Sequence, residues 1–176
     1  MQRKSRPFTK GRFFRCCFIL KILSHFNMIS APDHGFFMKK ALLMAEIAFS
    51  NGEVPVGAVM VCDEKIITKT HNQTELLNDA TAHAEMMAIT SACAYFNSKY
   101  LTTCTLYVSI EPCPMCAAAL YWAQIKMVVW GASDKKRGCT LYSPGLLHPS
   151  TEMISGILES ESSAIMKQFF KEKRGG

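Results

Sequence analysis

The sequence predicts an α/β domain, a mixed and mainly parallel β-sheet with helices on both faces. Three observations predict it. A nearly unbroken β-branched run containing Gly57, Val54 to Val61, is followed after a short polar break by a second strand-like stretch, Lys65 to Thr70. Strand-to-helix crossovers then succeed one another up to Trp130, which implies parallel pairing over that half of the sheet. A helical pattern from Phe36 precedes this region, and a last helix is expected after it.

Each element has its own signal. Phe37, Ala41, Met44, Ala45 and Ala48 recur at three- and four-residue steps, so a helix begins near Phe36. Asn51-Gly52 ends it, with Gly52 suited to a left-handed cap. Cys62-Asp63-Glu64 is short enough for a hairpin, so the first two strands are antiparallel. Asn72 to Thr81 is polar and reads as a loop before a helix over Ala82 to Tyr95. Leu106 to Ile110 is a strand, Cys113 to Ala123 a helix and Lys126 to Trp130 a strand. A Gly-, Pro- and Ser-containing loop over residues 131–150 is long enough to suggest function. A short apolar piece at Met153-Ile154 precedes a last helix, Ile157 to Lys173.

Composition narrows the class. With 49% apolar and 19% charged residues, the 176-residue chain suits one folded domain and excludes a disordered one. Eight cysteines could mean a secreted disulfide scaffold, but the chain is long for that class. Reduced cytoplasmic thiols, with metal binding for the Cys-x-x-Cys pair, are the better expectation. The net charge of +6 is uneven: residues 1–30 carry seven basic and no acidic side chains, leaving a net −1 for residues 31–176. Overall charge is therefore no argument for nucleic acid, although local clusters remain. The stretch Phe13 to Leu23 is too short and too charged to span a bilayer. Residues 1–33 read as a basic extension, disordered or the product of a start codon upstream of Met28. Residues 34–176 form the domain.

Two short segments carry the chemistry: Ala82-His83-Ala84-Glu85 and Pro112-Cys113-Pro114-Met115-Cys116. Both fall in the first turn of a predicted helix, where the positive dipole end helps keep thiols ionised. His83, Cys113 and Cys116 supply three ligands for one zinc ion per subunit and leave a fourth position for water, as catalytic sites do. Zinc(II) with two thiolates and a neutral imidazole is formally neutral, a weaker Lewis acid than zinc on three histidines. A nearby base must then take the proton from water, and Glu85 suits that role. A closed structural site would need a fourth ligand such as Cys104, Cys139 or His71. Trp130 reads as core, His71 and His148 as structural or surface groups, and Tyr121 and Trp122 as candidates for a dimer interface.

The chain from about Phe36 to Arg174 resembles the cytidine/deoxycytidylate deaminase superfamily, and within it the bacterial tRNA-editing branch. The resemblance rests on Glu53-Val54-Pro55-Val56-Gly57-Ala58-Val59, Asn72, Thr81-Ala82-His83-Ala84-Glu85 and Glu111-Pro112-Cys113. Gly131-Ala132-Ser133-Asp134, His148-Pro149 and the ending through Phe169-Phe170 add to it. It implies a three-layer αβα, cytidine-deaminase-like fold with a five-stranded sheet, and a cytoplasmic homodimer. It implies a hydrolase that uses zinc-activated water to convert the wobble adenosine of a tRNA, arginine tRNA above all, to inosine. The anticodon arm is then the partner, and no membrane is involved. Asn72, Pro55, Val56 and Ala84 would line the nucleotide pocket, with Asp134 beside the flipped-out nucleotide. Lys135, Lys136, Arg137, Lys167, Lys171, Lys173 and Arg174 would contact phosphates. Pro114-Met115-Cys116 and Tyr121-Trp122-Ala123 also resemble the guanine-deaminase branch. A deaminase of free guanine, cytosine or cytidine therefore stays open, as does a non-catalytic RNA-binding module with a structural zinc.

Overall fold

The computed structural model describes residues 33–142 and 145–175. Asp33 opens the first helix by accepting the Phe36 N–H at 2.9 Å, satisfying one amide that a helix start leaves unpaired. Helix α1 (His34–Ser50) buries Phe37, Met38, Ala41, Ala45 and Ala48 on one stripe. It stops at Asn51-Gly52 as expected, with Gly52 at φ +76° and the Glu53 N–H returning to the Ala48 carbonyl.

Strands β1 (Gly57–Cys62) and β2 (Lys65–His71) form the expected antiparallel hairpin. Its turn is shorter than the sequence suggested, because Cys62 pairs with Lys65 inside the ladder. Asp63 and Glu64 alone make the reversal, both at positive φ (48° and 61°), the pattern of a two-residue hairpin turn. The rest of the order is α2 (Ala84–Phe96), β3 (Cys104–Ile110), α3 (Pro114–Trp122), β4 (Met127–Ala132), β5 (Glu152–Ile154) and α4 (Glu159–Gly175).

The sheet has the strand order β2-β1-β3-β4-β5. It is mixed, and the pairing divides evenly. β1 pairs antiparallel with both β2 and β3, while β3–β4 and β4–β5 are parallel. Of the two parallel pairs, β3–β4 is the one a predicted crossover, through α3, accounts for; β4–β5 is reached through a loop, and β2 and β3, joined through α2, are not neighbours. Parallel pairing does not dominate, because β3 returns beside β1 rather than beside the end of the hairpin.

Alternation along the strands assigns the two faces. Ala58, Met60, Leu106, Val108, Val128 and Trp130 pack with Ala84, Ala88 and Ala92 of α2 and Ala117 and Leu120 of α3. Val59, Val61, Tyr107 and Val129 pack on the other side with Phe37, Met38 and Ala41 of α1. α4 joins α1 there, with Phe169 edge-on to Phe49 at 5.7 Å. This is the three-layer αβα arrangement, with Trp130 in the core as expected.

One cysteine expectation is corrected. Cys62 and Cys104 are register partners on β1 and β3, Cα atoms 4.3 Å apart, and their sulfurs are bonded. The sequence favours reduced thiols throughout, but neighbouring strands turn these two side chains toward each other on one face. The extension expected over residues 1–33 lies outside the described residues, Asp33 excepted. Among the described residues, no helix is long and apolar enough to cross a membrane.

Candidate metal centre and active site

The site forms where two helices begin. His83 is the N-cap of α2 and Cys113 the N-cap of α3, both with extended backbone, so each stands one residue before the helical turn predicted for it. Pro114 at the first helical position fixes the start of α3 without wasting an amide. Cys116, one turn on, then points back toward Cys113. α2 and α3 pack side by side on one sheet face, which brings the two caps together.

His83 Nδ1 lies 3.7 Å from Cys113 Sγ and 3.5 Å from Cys116 Sγ, and the three ligand atoms group within 4.8 Å. Tetrahedral zinc with ordinary bond lengths puts nitrogen and sulfur ligands about 3.6 Å apart. The donor set therefore fits zinc without rearrangement. Its electrostatics agree. Cys116 donates its thiol hydrogen bond to Cys113, and with help from His83 this outweighs burial and holds Cys113 down at about 4. The same bond, with burial, pushes Cys116 well up. His83 is raised, chiefly through Cys113.

No fourth side chain closes the set among the described residues. Cys104 is bonded to Cys62, and His71 Nδ1 pairs with the Asn72 carbonyl at 2.8 Å. Cys139 is buried, its amide donating to the Pro112 carbonyl. Glu85 stands in the first turn of α2, 3% exposed, and its burial pushes the carboxyl up to about 7. A carboxyl poised there can gain or lose a proton near neutral pH.

Hydrogen bonds tie Val56 and Asn72 to the segment that leads into His83. The Asn72 N–H donates to the Val56 carbonyl and the Gln73 N–H to that of Ala82, which wedges Asn72 between the approach to β1 and the start of α2. Pro55 is buried next to Val56. Ala84 is fully buried, its methyl group in the core and its carbonyl taken by Thr70 Oγ1 at 2.7 Å, so it offers a pocket only backbone. Asp134 is half-buried, and its Oδ1 accepts the Lys136 and Arg137 N–H groups at 2.9 and 3.1 Å. That turn leaves Lys135, Lys136 and Arg137 exposed.

The other basic set is not gathered here. Lys167, Lys171, Lys173 and Arg174 lie on α4, which packs on the sheet face opposite α2 and α3. His148 pairs with Ser150 at 2.7 Å and lies tilted against Tyr121, ring centroids 5.3 Å apart. Trp122 is 76% exposed.

Sequence reasoning missed the individual roles of two buried carboxylates. Glu53 accepts from Asn72, Thr74, Glu75 and Leu76. Glu111 accepts the Asp134 N–H at 3.0 Å and both the N–H and hydroxyl of Thr140 at 2.9 and 2.7 Å. Each thus ties down a loop beside the site. The available signal was an acid set directly against Val-Pro or Pro-Cys in apolar sequence, where a charge is tolerated only with partners.

Comparison with known proteins agrees with this geometry. A sequence profile described as MafB19-like deaminase matches residues 32–174. The tRNA-specific adenosine deaminase of Agrobacterium fabrum is 43% identical over 143 residues, covering 78% of this chain and 94% of the relative. A structure solved in a study of A-to-I editing by tRNA:A34 deaminases superposes with a TM-score of 0.70 at 41% identity, covering 74% and 98% of the two chains. The guanine deaminase of Nitrosomonas europaea shares the fold, with a TM-score of 0.69 at 19% identity over 96% and 98% of the chains. On its sequence, its fold and the convergence of His83, Cys113 and Cys116, the chain belongs to the MafB19-like deaminases, among the tRNA-specific adenosine deaminases.

Proposed function

We propose that this protein hydrolytically deaminates the wobble adenosine of a tRNA, arginine tRNA in the first instance, to inosine with release of ammonia. The observation that carries the reading is the convergence of His83, Cys113 and Cys116 beside buried Glu85, in a chain matched along nearly its whole domain to tRNA-specific relatives.

His83 Nδ1 and the two sulfurs would hold one zinc ion per subunit, which supplies Lewis acidity that makes water nucleophilic near neutral pH. The Glu85 carboxylate takes the proton from the attacking water and delivers it to the departing amine, so that adenosine and water become inosine and ammonia. Asn72, Pro55, Val56 and the Ala84 backbone hold the unstacked nucleoside, with Asp134 at its flank. A base acted on in an RNA loop has to leave its stack, and a snug pocket supports that.

Lys135, Lys136 and Arg137 bind phosphates of the anticodon arm, and the α4 set of Lys167, Lys171, Lys173 and Arg174 is a second candidate for the same role. The protein acts in the cytoplasm as a homodimer. Exposed Trp122, edge-on to Tyr121, supports an interface on α3.

The test offers the purified protein an arginine tRNA anticodon stem-loop, and separately guanine, cytosine and cytidine. Inosine in the stem-loop is expected. Ammonia from guanine alone, with the stem-loop untouched, contradicts the proposal.

A further inference from the structure

Glu53 is 1% exposed just past the end of α1, two residues before Pro55, yet every partner it has among the described residues is neutral. Burial works against its charge, but hydrogen bonds from the Leu76 and Glu75 amides, Thr74 and Asn72 prevail and hold the carboxyl below its ordinary value. An ionised carboxylate only accepts. What faces it must therefore be a donor.

That requirement fixes the Asn72 amide. Nδ2 donates one hydrogen to Glu53 Oε2 at 2.9 Å and the other to Thr74 Oγ1 at 2.9 Å. Thr74 spends its own hydrogen on Glu53 Oε2 at 3.2 Å, so its oxygen is left to accept from Asn72. The three side chains close a triangle in which no donor can be reversed without breaking a bond. Asn72 Oδ1 has no partner among the described residues, and it is not among the sealed buried atoms that lack one, which are Trp130 Nε1 and Ser162 Oγ. It is therefore not sealed from solvent, on a residue otherwise buried and wedged between Val56 and the start of α2.

We propose that Glu53 is a positioning residue: through the lock with Thr74 it forces Asn72 to present its carbonyl oxygen, an acceptor, to the nucleoside pocket. The site then selects a substrate that offers a hydroxyl or amino donor at that point. A freely flipping amide would accept either polarity and discriminate less. The inference rests on the proposed deaminase function, which places substrate in this pocket.

The test is a polarity exchange. In Asn72→Asp two carboxylates face each other, and in Glu53→Gln an amide is turned on the donors of Asn72 and Thr74. In the double variant, Glu53→Gln with Asn72→Asp, the introduced amide can donate to the introduced carboxylate. The second oxygen of that carboxylate again offers an acceptor, and the net charge of the pair is unchanged. One hydrogen bond is not rebuilt, that of the Glu75 N–H at 3.2 Å. Steady-state kcat and KM on the stem-loop are measured with zinc content and Tm for all four proteins.

Each single variant is expected to lose about tenfold or more in kcat/KM at full zinc content, and the double variant to recover at least about tenfold over Asn72→Asp. A clamp that merely holds residues 74–76 predicts no rescue, because Glu53→Gln damages it in either background. A double variant no better than the worse single, or a fully active Glu53→Gln, overturns the inference. Should Glu53→Gln fail to fold, Thr74→Val removes one side of the lock, and a loss of about threefold to tenfold in kcat/KM is expected. Unchanged kinetics in Thr74→Val also overturn it. Wild-type protein that makes no inosine defeats the deaminase reading itself, which is a separate result.

Discussion

A Cβ on Gly138 would lie 2.3 Å from Cδ of Glu111. The Glu111 carboxylate therefore occupies the space a side chain would need, and the loop over residues 134–140 can wrap it only with glycine at that point. Gly138→Ala should destabilise the fold by about 1–3 kcal/mol, as overpacking does. Denaturant unfolding reads that loss. Because the same loop carries Lys135, Lys136 and Arg137, stem-loop affinity should weaken in parallel. Unchanged stability would mean the carboxylate is not seated there.

The Glu53 clamp gives a pH prediction. The folded carboxyl lies below its ordinary value of 4.5, so its contribution is fully present above that pH. It is lost as pH falls from 4.5 through the folded pKa, where protonation breaks bonds that only the carboxylate accepts. Tm measured from pH 7 downward should fall through that window in wild type and fall less in Glu53→Gln, which starts lower. Parallel curves would contradict the clamp.

Glu85 separates binding from chemistry. Glu85→Gln keeps the shape of the side chain and removes its proton exchange, while the three donors are untouched. Zinc content should stay at one per subunit as kcat drops by at least about 100-fold. Substantial turnover in that variant removes Glu85 from the proton path.

Alanine at Lys135, Lys136 and Arg137 tests the RNA interface. Removing one cation from a phosphate should lower the slope of log affinity against log salt by about 0.7–0.9. Filter binding of the stem-loop at several salt concentrations measures the slope. An unaltered slope would make the cluster a solvated face.

Much of this molecule is legible in its sequence, because much of it is local. The His-x-Glu and Cys-x-x-Cys spacings act within a single turn, and Asn51-Gly52 stops α1 by its own backbone preference. What stays hidden depends on register between distant segments. The Cys62–Cys104 bond needs β3 beside β1, a pairing that no residue near either cysteine announces. Glu53 meets its partners 19 to 23 residues away, and Glu111 meets its own 23 and 29 residues away. The cap positions of His83 and Cys113 differ from the expected first turn by one residue, which extended backbone at both N-caps explains.

The proposed centre is a zinc ion on two sulfurs and one imidazole, with its last position left to solvent. X-ray absorption at the zinc edge of the purified protein measures that set directly. Two sulfurs at about 2.3 Å and two lighter N or O ligands at about 2.0–2.1 Å are predicted. Three or four sulfurs, or protein that purifies active without zinc, would contradict it.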